Sequence, residues 1–252
     1  MQHMRDRLQA FGIHFLLSLL VAALAGLLVF GLWFPYPYRE ISGGRELFLL
    51  IVGVDIVIGP LITLAIFNRS KPVRELAMDL GIVAVLQLAA LGYGLWTVFQ
   101  ARPVHLVFEY SRLTVVHAVD VEPSLLAKAP PALQSLPLTG PTPIALRPFK
   151  DASEQFDLTM AALGGAPLAA RSDLWQPYED SKAAILQASR PASELLARFP
   201  GDAARIEQAV AETGQPLVTL RYLPMVGRKD AWTAWIDSTT AKPLGFLPLD
   251  SF

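Results

Sequence analysis

Three transmembrane α-helices followed by a periplasmic α+β domain with an antiparallel sheet is the architecture this sequence predicts, and three observations predict it. Apolar runs at about residues 11–34, 47–67 and 80–99 each have the roughly 20 residues needed to cross a bilayer core at about 1.5 Å rise per residue. All three lie within residues 1–101, whereas proline, acids and arginine are spread over 102–252. That second stretch, of about 150 residues, alternates short strand patterns with helical ones and has a common domain size. Composition agrees: 53% of the 252 residues are hydrophobic and 17% charged, too apolar for an ordinary soluble protein. A net charge of −1 offers no basic surface for nucleic acid. The absence of cysteine removes disulfides, thiol catalysis and cysteine metal sites together.

Arg5 and Arg7 precede the first apolar run. Ala23-Leu24-Ala25 before Gly26 imitates a signal-peptidase site, but the run continues to Phe34 and the Pro35-Tyr36-Pro37-Tyr38 cluster. An uncleaved helix is therefore expected, with Trp33, Tyr36 and Tyr38 in an interfacial aromatic belt. His14, Ser18, Ala22 and Gly26 repeat every fourth residue and form a narrow packing face. On it His14 reads as a hydrogen-bonding core residue rather than a metal ligand.

The second run, Leu47–Phe67, holds Asp55 near its middle and Gly59-Pro60 one turn later. A carboxylate at that depth costs roughly 2.5–3.5 kcal/mol on insertion scales, so it should face protein or water. Pro60 cannot donate to the Ile56 carbonyl, which predicts a free acceptor and a kink. Asp55, Gly59 and Thr63 share one small, polar face. Two roles stay open for Asp55: a hydrogen bond that holds the bundle, or direct contact with a partner or substrate. In the third run, Gln87, Ala90, Leu91 and Gly94 fall on one face, and Gln87 is a candidate partner for Asp55. The N-terminus and second loop carry five basic residues (Arg5, Arg7, Arg69, Lys71, Arg74) against two in the first loop, Arg39 and Arg45. The positive-inside rule then places the N-terminus in the cytoplasm and residues 102–252 in the periplasm of a Gram-negative cell.

Beyond Arg102-Pro103, Val104–Tyr110 and Leu113–Val119 read as a hairpin. The proline-rich passage from Pro123 to Pro148 reads as loop with one short strand near Ile144. Asp151 N-caps a helix to Leu163, with Glu154 at capping-box spacing. Further helices are expected at about Tyr178–Ala188 and Asp202–Thr213, the latter stopped by Gly214. Leu217–Leu223, Trp232–Asp237 and Leu244–Leu249 complete a three-stranded antiparallel meander.

The sequence holds little chemistry. HExxH, GxSxG, the Walker A loop and a dinucleotide fingerprint are absent. His105 and His117 stand on the two hairpin strands without a third ligand, so packing accounts for them more simply than zinc. Gly53-Val54-Asp55 partly matches the GxGD of intramembrane aspartyl proteases, but the second intramembrane aspartate such a dyad needs is missing. Tyr222, Trp232 and Trp235 form either an aromatic ligand patch or, by default, sheet core. No catalytic residue, metal or cofactor is expected, and the chain does not read as an enzyme.

Three stretches resemble one family. LLIVGVDIVIGPLITLAIFN, DLGIVAVLQLAALGYGLWTVFQARPVHLVFEYSRLTVV and YLPMVGRKDAWTAWIDSTTAKPLGFLPLDSF are similar to the TfpX/TfpZ family of type IV pilin accessory proteins, most densely over Leu47–Val116 and Tyr222–Phe252. The resemblance implies a chaperone-like inner-membrane protein that supports stability or assembly of the major type IV pilin. Its partners would be that pilin and the lipid bilayer, with no nucleic acid. At the matching positions Asp55, Gly59, Pro60, Gln87, Tyr93, Gly94, Arg102 and Pro103, with Thr63 from the Asp55 face, are the candidates for helix packing or pilin contact. Two other classes remain: a periplasmic small-ligand sensor, which lacks any following signalling segment, and a transporter subunit, which lacks a visible repeat.

Overall fold

The structure, a computed structural model, describes residues 2–252. It divides into two compact units: a helical one, up to Pro35 together with Gly44–Ala101, and a sheet-containing one, Tyr36–Gly43 together with Arg102–Phe252.

The chain begins with α1 (Gln2–Leu28), which runs on through a π-helical turn, Val29–Trp33. A single turn, α2 (Tyr38–Ile41), then leads to α3 (Gly44–Ile66) and α4 (Val73–Gln100). Three helices, His3–Trp33, Gly44–Ile66 and Val73–Gln100, are long and apolar enough to cross a membrane, as a multi-pass membrane protein requires. Each extends past its apolar run because flanking polar residues continue the helix once its hydrogen bonds are in place. α3 stays helical through Pro60. Ala22, Ala25, Val29, Phe34, Phe48, Val52 and Val98 form the packed centre of this unit. Phe30 meets Phe48 edge to face at 4.9 Å, and Trp33 meets Phe99 at 5.1 Å. Gly26 and Gly94 make this closeness possible: a Cβ at Gly26 would lie 3.3 Å from the Phe48 ring, and one at Gly94 would overlap Ile51.

In the other unit the strands are β1 (Pro103–Glu109), β2 (Arg112–His117), β3 (Thr142–Leu146), β4 (Trp175–Pro177), β5 (Arg190–Pro191), β6 (Leu220–Val226), β7 (Ala231–Asp237) and β8 (Pro243–Leu247). Their order is β4-β3-β1-β2-β6-β7-β8, with β5 beside β6. Helices α5 (Pro123–Leu126), α6 (Ala152–Leu163), α7 (Lys182–Ala188), α8 (Ala192–Arg198) and α9 (Ala203–Glu212) complete the α+β unit. The hairpin β1–β2 and the meander β6–β7–β8 are antiparallel, as their alternation predicts. The sheet as a whole is larger and mixed, because β3 returns parallel to β1 and β6 returns parallel to β2. Asp151 caps α6 as expected, its carboxylate accepting the Glu154 N–H at 2.8 Å. The reciprocal contact is displaced by one residue: Glu154 accepts from the Lys150 N–H and the Arg147 guanidinium.

The main core of this unit joins Leu106, Phe108, Leu113, Leu223, Met225 and Trp232 to Tyr38 and Ile41 from the short connector. Ile41 is fully buried; its carbonyl accepts the Lys229 N–H at 3.0 Å, and Gly227 packs so close that a Cβ would overlap it. Tyr38 is therefore core rather than part of an interfacial belt, while Tyr36 stays half exposed. Tyr36 lies edge-on to Trp232 at 6.0 Å and Tyr38 to Phe246 at 5.8 Å. Tyr222 and Trp235 face each other across β6–β7 with almost no exposure, so the alternating aromatics are sheet core and not a ligand patch.

Candidate functional site

Two seams converge on α3. Along the first, against α1, Thr63 is buried and its hydroxyl lies 2.6 Å from His14 Nδ1. Ala22 and Ala25 are buried further along α1, and Arg7 Nε donates to the Phe67 carbonyl at 2.8 Å. The Arg7 bond satisfies a carbonyl that the end of α3 would otherwise leave open. The small face predicted on α1 thus meets α3 at Thr63, the one residue of the Asp55/Gly59/Thr63 face that this seam takes up.

The second seam, against α4, is closed at one end and open at the other. Gln87 Nε2 donates to the Asp55 backbone carbonyl at 3.0 Å, and its amide lies over Gly59, where a Cβ would overlap it. Gly59 is small because a polar side chain from the next helix crosses it. Pro60 is buried beside it. From Asp55 and Gln87 toward the α3–α4 loop the helices leave a cavity of about 720 Å³, walled by residues such as Ile58, Ile62, Ile82 and Leu86. At its far end, Lys71 Nζ pairs with Asp79 at 2.5 Å, and Arg7 also contributes to the lining. A smaller cavity of about 180 Å³ reaches Asp55 and Gln87 from the His14 and Ser18 side. Asp55 is therefore a wall residue between two spaces, half-buried, on a largely apolar stretch of wall with Gln87 beside it.

The predicted residues divide accordingly. Asp55, Gly59, Pro60, Thr63, Gln87 and Gly94 line the two seams of the helical unit, and the partnership expected of Gln87 and Asp55 is made through the Asp55 carbonyl. Tyr93 is 70% exposed and stacks obliquely on Trp96 at 5.9 Å, away from both cavities. Arg102 and Pro103 belong to the sheet-containing unit. Arg102 is buried, its Nε donates to the Pro137 carbonyl at 3.2 Å, and burial pulls its pKa below the usual arginine value. Pro103 opens β1. Sequence reasoning did not find the Thr63–His14 pair or the Lys71–Asp79 pair. Their partners were visible as members of faces, but which faces meet is set by the packing of separate helices.

The two hairpin histidines each take their own partner. His105 Nδ1 shares a hydrogen bond with Thr142 Oγ1 at 2.9 Å, and the ring packs edge-on against Trp175 at 4.7 Å. Burial pulls its pKa down to about 4. His117 Nδ1 lies 3.3 Å from Asp120, which Arg228 grips at 2.7 Å. Asp120 is held below the usual aspartate range: burial opposes ionisation, but the His117 hydrogen bonds and the Arg228 charge outweigh it.

Comparison with known proteins bears on the whole chain. Residues 2–43 match the family described as "Fimbrial assembly protein FimB". A fimbrial assembly protein of Dichelobacter nodosus serogroup I is 33% identical over 228 residues, 90% of this chain and 89% of the relative. The serogroup E1 protein of the same organism is 32% identical over 229 residues, with the same coverage of 90% and 89%. A third, from serogroups C1 and C2, is 43% identical over 110 residues, 44% of this chain and 84% of the relative. No solved structure matches. The similarity runs nearly end to end in both partners and so takes in the helical and the sheet-containing unit alike. The chain belongs to the FimB family of fimbrial assembly proteins.

Proposed function

We propose that this protein is a non-enzymatic, chaperone-like accessory that supports stability or assembly of the major type IV pilin, as the resemblance to the TfpX/TfpZ proteins implies. Its place would be the inner membrane, with the N-terminus cytoplasmic and the sheet-containing unit periplasmic, the orientation its loop charges favour. The observation that carries the reading is the near full-length kinship with fimbrial assembly proteins, on a chain that offers both an intramembrane cavity and a folded α+β unit. A subunit awaiting assembly with one apolar helix in the bilayer and its head outside would engage both.

The test is a crosslinking pull-down of the tagged, full-length protein from its native membrane, with a parallel strain lacking the major pilin. Recovery of unassembled pilin is expected, together with loss of pili when this gene is deleted. Unchanged pili in the deletion, with no pilin recovered, would overturn the reading. One observation favours a second function, a small-ligand sensor: a cleft of about 600 Å³ lined by Phe149, Tyr110, Gln155, Gln176 and Asp180. A ligand-dependent rise in melting temperature of the full-length protein, with pili unchanged in the deletion, would support that alternative.

A further inference from the structure

Asp55 is incompletely satisfied by its own chain. A carboxylate has about four acceptor positions and an amide NH2 has two donors. Gln87 gives one of its two to the Asp55 carbonyl, which leaves at most one for the carboxylate. His14, which lines the smaller cavity with Asp55, has its Nδ1 engaged with Thr63. An acyl chain offers no donor, so the remaining acceptor positions must be met by protein or water and not by lipid.

The space beside Asp55 has the proportions of a helix seat. It runs along α3 from Asp55 to Ile66, which at about 1.5 Å per residue is about three helical turns, or half a bilayer. Its walls are Ile58, Ile62, Ile82 and Leu86, with Ala65 and Ala90 admitting close backbone approach. The first seam of α3 is already occupied by α1, whereas this groove takes only Arg7 from α1 and is filled by no helix among the described residues.

We infer that the groove between α3 and α4 receives one transmembrane helix of a single-pass partner, whose residue at the depth of Asp55 presents a hydroxyl, amide or amine donor to that carboxylate. The inference rests on the accessory reading for the partner's name, not for the seat. Donor complementarity at Asp55 is what favours a helix over lipid, since lipid would leave the carboxylate as it stands.

A photoreactive residue placed at Ile62 or Leu86, on the groove walls, and at Leu50 or Val85, on outward surface, tests this in the full-length protein in native membranes. Crosslinks from the two groove positions should map by mass spectrometry to peptides inside one single-pass helix, and the outward positions should give lipid. Asp55→Ala should lower the groove crosslink roughly three- to twentyfold, the loss of one intramembrane hydrogen bond. Ile62→Trp, which fills the groove without touching Asp55, should lower the crosslink from Leu86 even if the Asp55 variant does not accumulate. Lipid adducts alone from all four positions, or a crosslink to a second copy of this chain, would overturn the inference. A mapped single-pass helix that is not the pilin would uphold the seat and overturn the pilin reading. Loss of pili on gene deletion without any groove crosslink would do the reverse.

Discussion

Gly59 shows how one missing methyl group sets the helical unit, since the Gln87 amide occupies the place its Cβ would take. Gly59→Val forces that amide off the Asp55 carbonyl and overpacks the seam. Thermal unfolding in detergent should show a loss of roughly 1–3 kcal/mol. His14 and Thr63, 2.6 Å apart, are worth less. A double-mutant cycle of His14→Ala and Thr63→Ala should give a coupling of about 0.6 and at most about 1.7 kcal/mol, because helices unfolded within a membrane still find other partners. In the other unit, His105 is buried neutral, with a pKa of about 4 against about 6.5 in an unfolded chain. Below pH 6.5 the unfolded state gains a proton that the folded state refuses until about pH 4. Its contribution is therefore complete above pH 6.5 and lost on acidification across that window, by up to roughly 3 kcal/mol. Denaturation curves from pH 7 to 4 should show this fall, and His105→Asn should flatten it. The carboxylates lowered by their partners, such as Glu154 at about 2 through Arg147 and the Lys150 N–H, begin to lose theirs only below about pH 5, so the fall between about pH 6.5 and 5 reports His105.

At the scale of elements, the periodicities that were strong in the sequence correspond to elements that formed. Asp55, Gly59 and Thr63 share a face because a helix returns every 3.6 residues, and the alternation of Tyr222 and Trp235 places both in the sheet core. Partners of those faces were not legible. The β2–β6 pairing joins Leu113 to Met225 and Thr114 to Val226, more than a hundred residues apart, and neither strand's pattern names the other. The least legible element is α2. Four residues after a Pro-Tyr-Pro cluster read as a connector, and local sequence cannot say that Tyr38 and Ile41 complete a core built by strands far along the chain. The packing has a measurable consequence. Ile41→Ala should destabilise the sheet-containing unit by roughly 2–5 kcal/mol, the cost of a buried large-to-small change. Leu50→Ala, at a side chain 69% exposed on α3, should cost little in the same detergent-solubilised protein.

The whole molecule is two units threaded by one chain that passes between them three times, at Pro35–Tyr36, Gly43–Gly44 and Ala101–Arg102. A boundary drawn at residue 102 follows composition, because apolar runs end there, but folding follows contacts, and those include Tyr36–Gly43. A fragment of residues 102–252 therefore lacks two side chains of its main core, Tyr38 and Ile41, and the carbonyl that accepts the Lys229 N–H. It should melt at least about 4–20 °C below a version carrying residues 36–43 joined ahead of Arg102 by a flexible linker, the shift expected from losing Ile41 alone. Equal melting temperatures would show that the segment is a passenger on the sheet. A lower one would mean that this unit is complete only in a chain that has already placed its three long helices. Assembly factors of this design then cannot present the sheet-containing unit to a partner before the membrane helices are in place. Folding order itself would couple the surface of the sheet-containing unit to the groove between α3 and α4.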